Sequence, residues 1–319
     1  MTDKQINRWL RRRFTAVGWI LVAYYLLMNV MTLLTMAVDA ASQALRSLAS
    51  GNTGMDTLDL DAMANNAWGY ILTIFIGLVI LYAWKGWDYF RTDLLCREKP
   101  MNSGVFGILL CLCMGSQMVN SLWIGLLELL LNQFDMSAME ILESVSGDTE
   151  SVSMFLYASI LAPISEEILF RGYALRTLKP FGKRFAIFGS AFLFGLFHGN
   201  LLQTPYAFLM GLVLGYVTVE YSLIWAIALH MFNNLVLADL LTRLTAALPE
   251  PVMNILTGML FGGCAIASVV ILIIKRREIR AYNRSEWMDR RVMKTFFLNS
   301  GVIVLTVLMV FNMVLILFA

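Results

Sequence analysis

The chain has 319 residues, of which 59% are hydrophobic and 14% charged, with a formal net charge of +2. Soluble domains carry about 25% charged residues, so too little polar material is present to cover a soluble surface. The small net charge, with its basic residues at predicted membrane edges, carries no sign of a nucleic-acid partner.

Repeated apolar runs of about 18 residues or more make it an all-α, polytopic transmembrane helical bundle. Cys96, Cys111, Cys113 and Cys264 lie in or near apolar stretches without a CxxC pair, which fits neither a disulfide framework nor a zinc knuckle. Without a low-complexity linker or an internal repeat, residues 1–319 read as a single membrane domain.

Residues 1–14 carry Lys4, Arg8, Arg11, Arg12 and Arg13, a basic flank expected on the cytoplasmic side. A first span is predicted over about 15–38, too long for a signal-peptide core and therefore retained. Residues 39–66, with Asp39, Asp56, Asp59 and Asp61 against Arg46, and with Gly51 and Gly54, read as an outside loop. A second span, about 67–84, leads into a linker holding Lys85, Arg91, Arg97 and Lys99. The third, about 105–131, carries Glu128 near its outer end, where a structural role outweighs a proton-carrying one.

Residues 133–152 contain Asp135, Glu140, Glu143, Asp148 and Glu150 but no Lys or Arg, and form a second outside loop with a short amphipathic helix near 138–142. The fourth span begins near Met154, is expected to kink at Pro163, and exits at Arg176, Lys179, Lys183 and Arg184. The fifth and sixth are predicted at about 185–202 and 206–221, the sixth with Gly211 and Gly215 spaced for close helix approach. The seventh, about 223–241, ends where Asp239 and Arg243 can pair, and the eighth, about 252–274, repeats the glycine spacing at Gly258 and Gly262. A basic loop over 275–294 precedes a ninth span reaching Ala319. This count, about eight or nine spans with the N-terminus cytoplasmic, puts every basic loop on one side and both acidic loops on the other.

Within this apolar chain the stretch Ser165-Glu166-Glu167-Ile168-Leu169-Phe170-Arg171 is costly, because each charge near a membrane-helix centre costs about 2.5–3.5 kcal/mol. Glu167 and Arg171 are four residues apart and can pair along one helix face, while Glu166 is turned about 100° away. One carboxylate is therefore held and the other is free for chemistry, although a purely structural ion pair between helices remains a competing reading. The chain's two histidines, His198 and His230, both fall inside predicted membrane helices. His230 and Asn234 share one helix face, and Asn233, turned away, suits a structural amide.

Counted from the cytoplasmic helix ends, Glu166 and His230 lie near one level at about 12–15 Å depth, with His198 deeper. Two hydrolytic chemistries fit. Glu166 can serve as general base toward water, with the other groups positioning that water and an oxyanion. Alternatively, Glu166, His198 and His230 can bind zinc. The absence of an HExxH spacing favours the first, with no cofactor.

The ordered set Glu-Glu-x-x-x-Arg at 166–171, Phe-x-x-x-His at 194–198 and His-x-x-x-Asn at 230–234 resembles the CPBP family. These are the CAAX protease and bacteriocin-processing, or Abi, intramembrane glutamic endopeptidases. The resemblance covers about residues 150–245, the expected catalytic core. It implies that Glu166 activates water with help from His198, that His230 and Asn234 form the oxyanion site, and that Glu167 and Arg171 shape the site. It further implies a peptide or protein substrate, prenylated or otherwise membrane-anchored or of leader or bacteriocin type, cut near the cytoplasmic face of the lipid bilayer. A bacterial plasma membrane is the expected location. An ion-coupled transporter using the same ionisable residues, and a catalytically idle scaffold or immunity protein, are the competing classes. A transporter predicts an inverted repeat, which is not seen, and an idle protein predicts lost motif residues, all of which are retained.

Overall fold

A computed structural model describes residues 3–50, 58–145, 151–245, 247–285 and 289–318. Gly51, Gly54 and Asp56 of the first acidic loop, and Asp148 and Glu150 of the second, lie outside the described residues. The chain is helical almost throughout. In order, the main helices are α1 (Asp3–Ala49), α2 (Trp68–Asp88), α3 (Ser103–Leu131), α4 (Val152–Phe181), α5 (Lys183–Phe197) and α6 (Thr204–Glu220). They are followed by α7 (Leu223–Thr245), α8 (Glu250–Ile274), α9 (Arg276–Ser285), α10 (Arg290–Phe297) and α11 (Ser300–Leu317).

Among the described residues, 7 helices are long and apolar enough to cross a membrane: α1, α2, α3, α4, α7, α8 and α11. The expected fifth and sixth spans are shorter, at 15 residues in α5 and 17 in α6. At about 1.5 Å per residue such helices fall short of the roughly 30 Å of a hydrocarbon core. Both are shielded by neighbours, with most of α5 and much of α6 buried.

Three expected loops are partly helical. Residues 39–49 continue α1, because DAASQALRSLA is rich in residues that lose little side-chain freedom in a helix. Its end is tied to the next segment by Asn66 donating to Asp39 and by the Asp59 amide donating to Gln43 at 2.7 Å. The linker after the second span stays helical beyond Gly86, in a wide-turn segment over Tyr89–Leu94. The basic stretch 275–294 folds into the amphipathic helices α9 and α10; α10 buries Val292 and Phe296 and exposes Arg290, Arg291 and Lys294. Smaller expectations hold: a short helix forms at Ala138–Val145, and Arg243 Nε meets Asp239 Oδ1 at 3.0 Å. Glu128 anchors the outer loop by accepting from Ser137 Oγ at 3.2 Å and from the Met139 amide at 3.1 Å.

Close helix crossings set the frame, among them those at Gly18 and Gly211. A Cβ on Gly18 of α1 would overlap the backbone of Gly301 and Val302 in α11. A Cβ on Gly211 of α6 would sit 3.0 Å from Ala191 Cα of α5 and 3.3 Å from Arg171 Nη2. Small residues let backbones approach where lipid supplies no hydrophobic drive between helices. The pair Gly258 and Gly262 on α8 behaves differently, with nothing within 4 Å of either added Cβ. The core between α1, α4, α5, α10 and α11 is aromatic, centred on Phe14, Phe170, Phe185, Phe194 and Phe296.

The basic segments meet at one end of the bundle. Glu220, at the end of α6, accepts from Lys99 Nζ at 2.6 Å, Lys183 Nζ at 3.2 Å and the Tyr282 hydroxyl at 3.2 Å. The Glu98 amide donates to the Tyr221 carbonyl at 2.8 Å, and Arg97 and Ser222 form an isolated β-bridge.

Candidate active site

The charged stretch lies in the middle of α4, and its helix is irregular there. Tyr157–Leu161 form wide π-type turns just before Pro163, and Glu167–Leu175 form another such run. A proline lacks a backbone donor and crowds the preceding turn, and a wide turn absorbs both effects. Residues Phe232–Leu240 of α7 are wound in the same way directly after His230. The widened turns thus take in Glu167, Arg171, Asn233 and Asn234, while Glu166 and His230 sit on the regular turns just before them.

Glu167 is the hub. Its side chain and that of Arg171 are fully buried, and Arg171 Nη1 donates to Glu167 Oε1 at 2.7 Å. The same oxygen lies 3.0 Å from His230 Nδ1, so one carboxylate oxygen joins a guanidinium on its own helix to an imidazole on α7. Arg171 is further held by the Gly211 carbonyl at 3.3 Å and by the Phe194 ring, whose centroid is 4.1 Å from its Cζ. A buried cation in contact with a π face and a carboxylate is compensated by groups from three helices.

Glu166 faces the other way, as the 100° helical offset requires. Its side chain is 28% exposed, and its Oε2 lies 3.8 Å from His230 Nε2. His230 is therefore set between the two glutamates, with Nδ1 against the buried one and Nε2 toward the accessible one. Because Nδ1 faces a carboxylate acceptor, it carries the proton of that hydrogen bond, and Nε2 is the atom left to address Glu166 and anything bound there. The expectation of a common level for Glu166 and His230 agrees with this 3.8 Å approach.

His198 terminates α5 and is followed by Gly199 at φ +63. Its Nδ1 bonds the Phe194 carbonyl at 2.8 Å. The expected continuation of that helix to residue 202 does not occur, because the chain turns at Gly199. Phe194 places its ring edge-on to both imidazoles, 4.9 Å from His198 and 5.7 Å from His230. On α7, Asn234 donates through Nδ2 to the Ala158 carbonyl at 3.1 Å and accepts through Oδ1 from Asn233 Nδ2 at 3.1 Å. Asn233 in turn accepts from the Tyr206 hydroxyl at 2.6 Å. The amide expected to be structural thus fixes the orientation of the other one.

Tyr206, Tyr24 and Tyr157 carry no sequence signal for this place. Tyr24 of α1 and Tyr157 of α4 both lie within electrostatic range of Glu166. Tyr24 and Ser165 also line a cavity of about 180 Å³ between α1, α2 and α4, whose other walls include Ile20, Ile74, Leu78 and Trp84. Among the described residues, no three His, Cys, Asp or Glu side chains gather so as to hold a metal ion, and this covers the trio of Glu166, His198 and His230.

No curated protein and no solved structure matches the chain. Residues 148–236 match the family model described as Type II CAAX prenyl endopeptidase Rce1-like, and that segment holds Glu166, Glu167, Arg171, His198, His230 and Asn234. Over this segment, rather than over all 319 residues, the chain is similar to the CAAX-protease family, and there it carries the buried Glu167–Arg171–His230 cluster.

Proposed function

We propose that the chain is an intramembrane endopeptidase in which Glu166 activates water without a metal. The observation that carries this reading is the placement of an accessible glutamate 3.8 Å from an imidazole whose far nitrogen is pinned by a buried ion pair. A water molecule donating to Glu166 loses its proton to the carboxylate, and the resulting hydroxide attacks the scissile carbonyl. His198, whose Nε2 is left open by the bond at Nδ1, orients that water. Asn234 stabilises the oxyanion with the Nδ2 hydrogen not given to Ala158, and His230 adds a second hydrogen bond from Nε2 when both of its ring nitrogens carry a proton. Glu166 then returns the proton to the leaving amine, and the C–N bond breaks.

The substrate we assign is a peptide held at the membrane by an apolar group, of prenylated CAAX or leader-peptide type. Supporting this is the cavity beside Ser165, walled almost wholly by carbon side chains from α1, α2 and α4. The cut then falls near the basic end of the bundle, which we place at the cytoplasmic face of a bacterial plasma membrane with the N-terminus inside. Support for the sidedness comes from the convergence of Lys99, Lys183 and Tyr282 on Glu220.

The test is cleavage of paired prenylated and unprenylated peptides by protein in lipid nanodiscs. Activity is expected to survive exhaustive chelation, to be lost in Glu166→Ala, and to prefer the prenylated peptide. Replacing Ala23, which lines the cavity, by Phe should raise KM for the prenylated peptide alone. Activity abolished by chelation and restored by zinc would overturn the mechanism, and indifference to the apolar group would overturn the substrate assignment.

A further inference from the structure

The first turns of α1 are fastened to the start of α11 at the basic end of the bundle. Asn299, which caps α11, donates to the Arg11 carbonyl at 3.1 Å and to Thr15 Oγ1 at 3.0 Å. Phe14 and Phe296 pack edge to face at 5.5 Å between centroids. These contacts bring the first turns of α1, with Arg8, Arg11, Arg12 and Arg13 exposed, against α10, with Arg290 and Lys294 exposed. Beside them α9 continues from the end of α8 with Arg276, Arg277, Arg280 and Arg284 all exposed. Residues 275–294 hold eight basic side chains against three acidic ones. Of the acids, Glu278 is paired with Lys275 at 3.0 Å.

We propose that this surface is a docking site for anionic phospholipid headgroups. Its level selects the partner. The cations sit in the first turns of α1, on α10 just before α11, and on α9 directly after α8, all of which join long apolar spans. That places them at headgroup height, within a Debye length of the lipid surface. Trp9, 40% exposed and tilted against Phe181 with ring centroids 4.7 Å apart, stands in the same first turns of α1, as an interfacial aromatic does. Helix α10 turns Val292 and Phe296 into the core, so its cationic face points away from the bundle. Setting membrane orientation requires only that basic residues lie in the loops on one side. Here they are ordered on two folded helices, of which α10 is clamped to the N-terminal turns, an arrangement suited to holding several headgroups at once.

The full-length protein is reconstituted in phosphatidylcholine vesicles containing a minority of phosphatidylglycerol. It is then re-extracted, and its retained lipids are read by native mass spectrometry. Phosphatidylglycerol should be enriched over the bulk by about fivefold or more, the factor one well-placed cation supplies. Replacing Arg280, Arg284, Arg290 and Lys294 together by Gln should abolish the enrichment, while Arg46→Gln at the other end should retain it. Absence of enrichment in wild type, or equal enrichment in the fourfold variant, overturns the proposal. If the fourfold variant fails to fold, the salt dependence of the wild type decides. Enrichment that falls at high ionic strength supports the headgroup site, and enrichment indifferent to salt refutes it. Binding of soluble polyphosphate to protein in neutral nanodiscs, without phosphatidylglycerol enrichment, would assign the surface to a soluble polyanion instead.

Discussion

Glu167 and Arg171 illustrate what a single buried contact costs. Both side chains are fully buried, and Glu167 also holds His230. Arg171→Met should therefore destabilise the protein by about 3–5 kcal/mol, because it strands a carboxylate away from water. The double variant Glu167→Gln/Arg171→Met should recover part of that loss, and denaturant unfolding in mixed micelles measures both. Glu166→Gln, at a 28% exposed side chain, should change stability by no more than about 0.5 kcal/mol. The same scale explains what the sequence made legible. The i, i+4 spacing announced the Glu167–Arg171 pair, and the helical offset announced the freedom of Glu166. Tyr206 and the Phe194 face against Arg171 depend on how α5 and α6 rotate about their own axes, which local spacing does not encode. Tyr206→Phe, by releasing Asn233 and through it Asn234, should lower kcat by about tenfold with KM little changed, as removal of one hydrogen bond to the orienting amide implies.

At the scale of elements, positions that look alike in sequence separate by environment. Gly211 and Gly258 both open a small-residue spacing, yet an added Cβ meets Ala191 and Arg171 at the first and nothing at the second. Gly211→Val should therefore cost about 1–3 kcal/mol by forcing α6 off α5, while Gly258→Val should stay within about 0.5 kcal/mol. Thermal unfolding of the two variants side by side checks the contrast. Helix existence and order were legible because each apolar run declares itself. Helix ends were less so. The charges of 39–49 and 275–294 mark a membrane edge and so predict loops, yet polar helix formers carry helices over 39–49, Arg276–Ser285 and Arg290–Phe297. Spacing alone predicts a fifth helix reaching residue 202 because Leu201 and Leu202 continue the apolar pattern past the turn at Gly199.

Across the whole molecule, the basic end is closed by polar bonds among segments distant in sequence. One of these, the 3.0 Å contact of Lys179 with Glu98, holds the Glu98 carboxyl below its ordinary value by a hydrogen bond and the lysine's charge. A lowered carboxyl contributes stability that is complete above its unfolded pKa and disappears as pH falls through the folded one. The melting temperatures of wild type and Glu98→Gln should thus differ near neutrality and converge in acid below the ordinary value of 4.5. The contact is half exposed, so the difference is small.

The central claim is that Glu166 performs peptide hydrolysis. Wild-type protein and Glu166→Gln, each in lipid nanodiscs, are incubated with a diverse pool of membrane-associated peptides that includes prenylated ones, and new termini are read by mass spectrometry. Termini produced by wild type and missing with Glu166→Gln are the predicted result, and their flanking residues define the substrate class. The same set of termini from both proteins, or none from either, would contradict it.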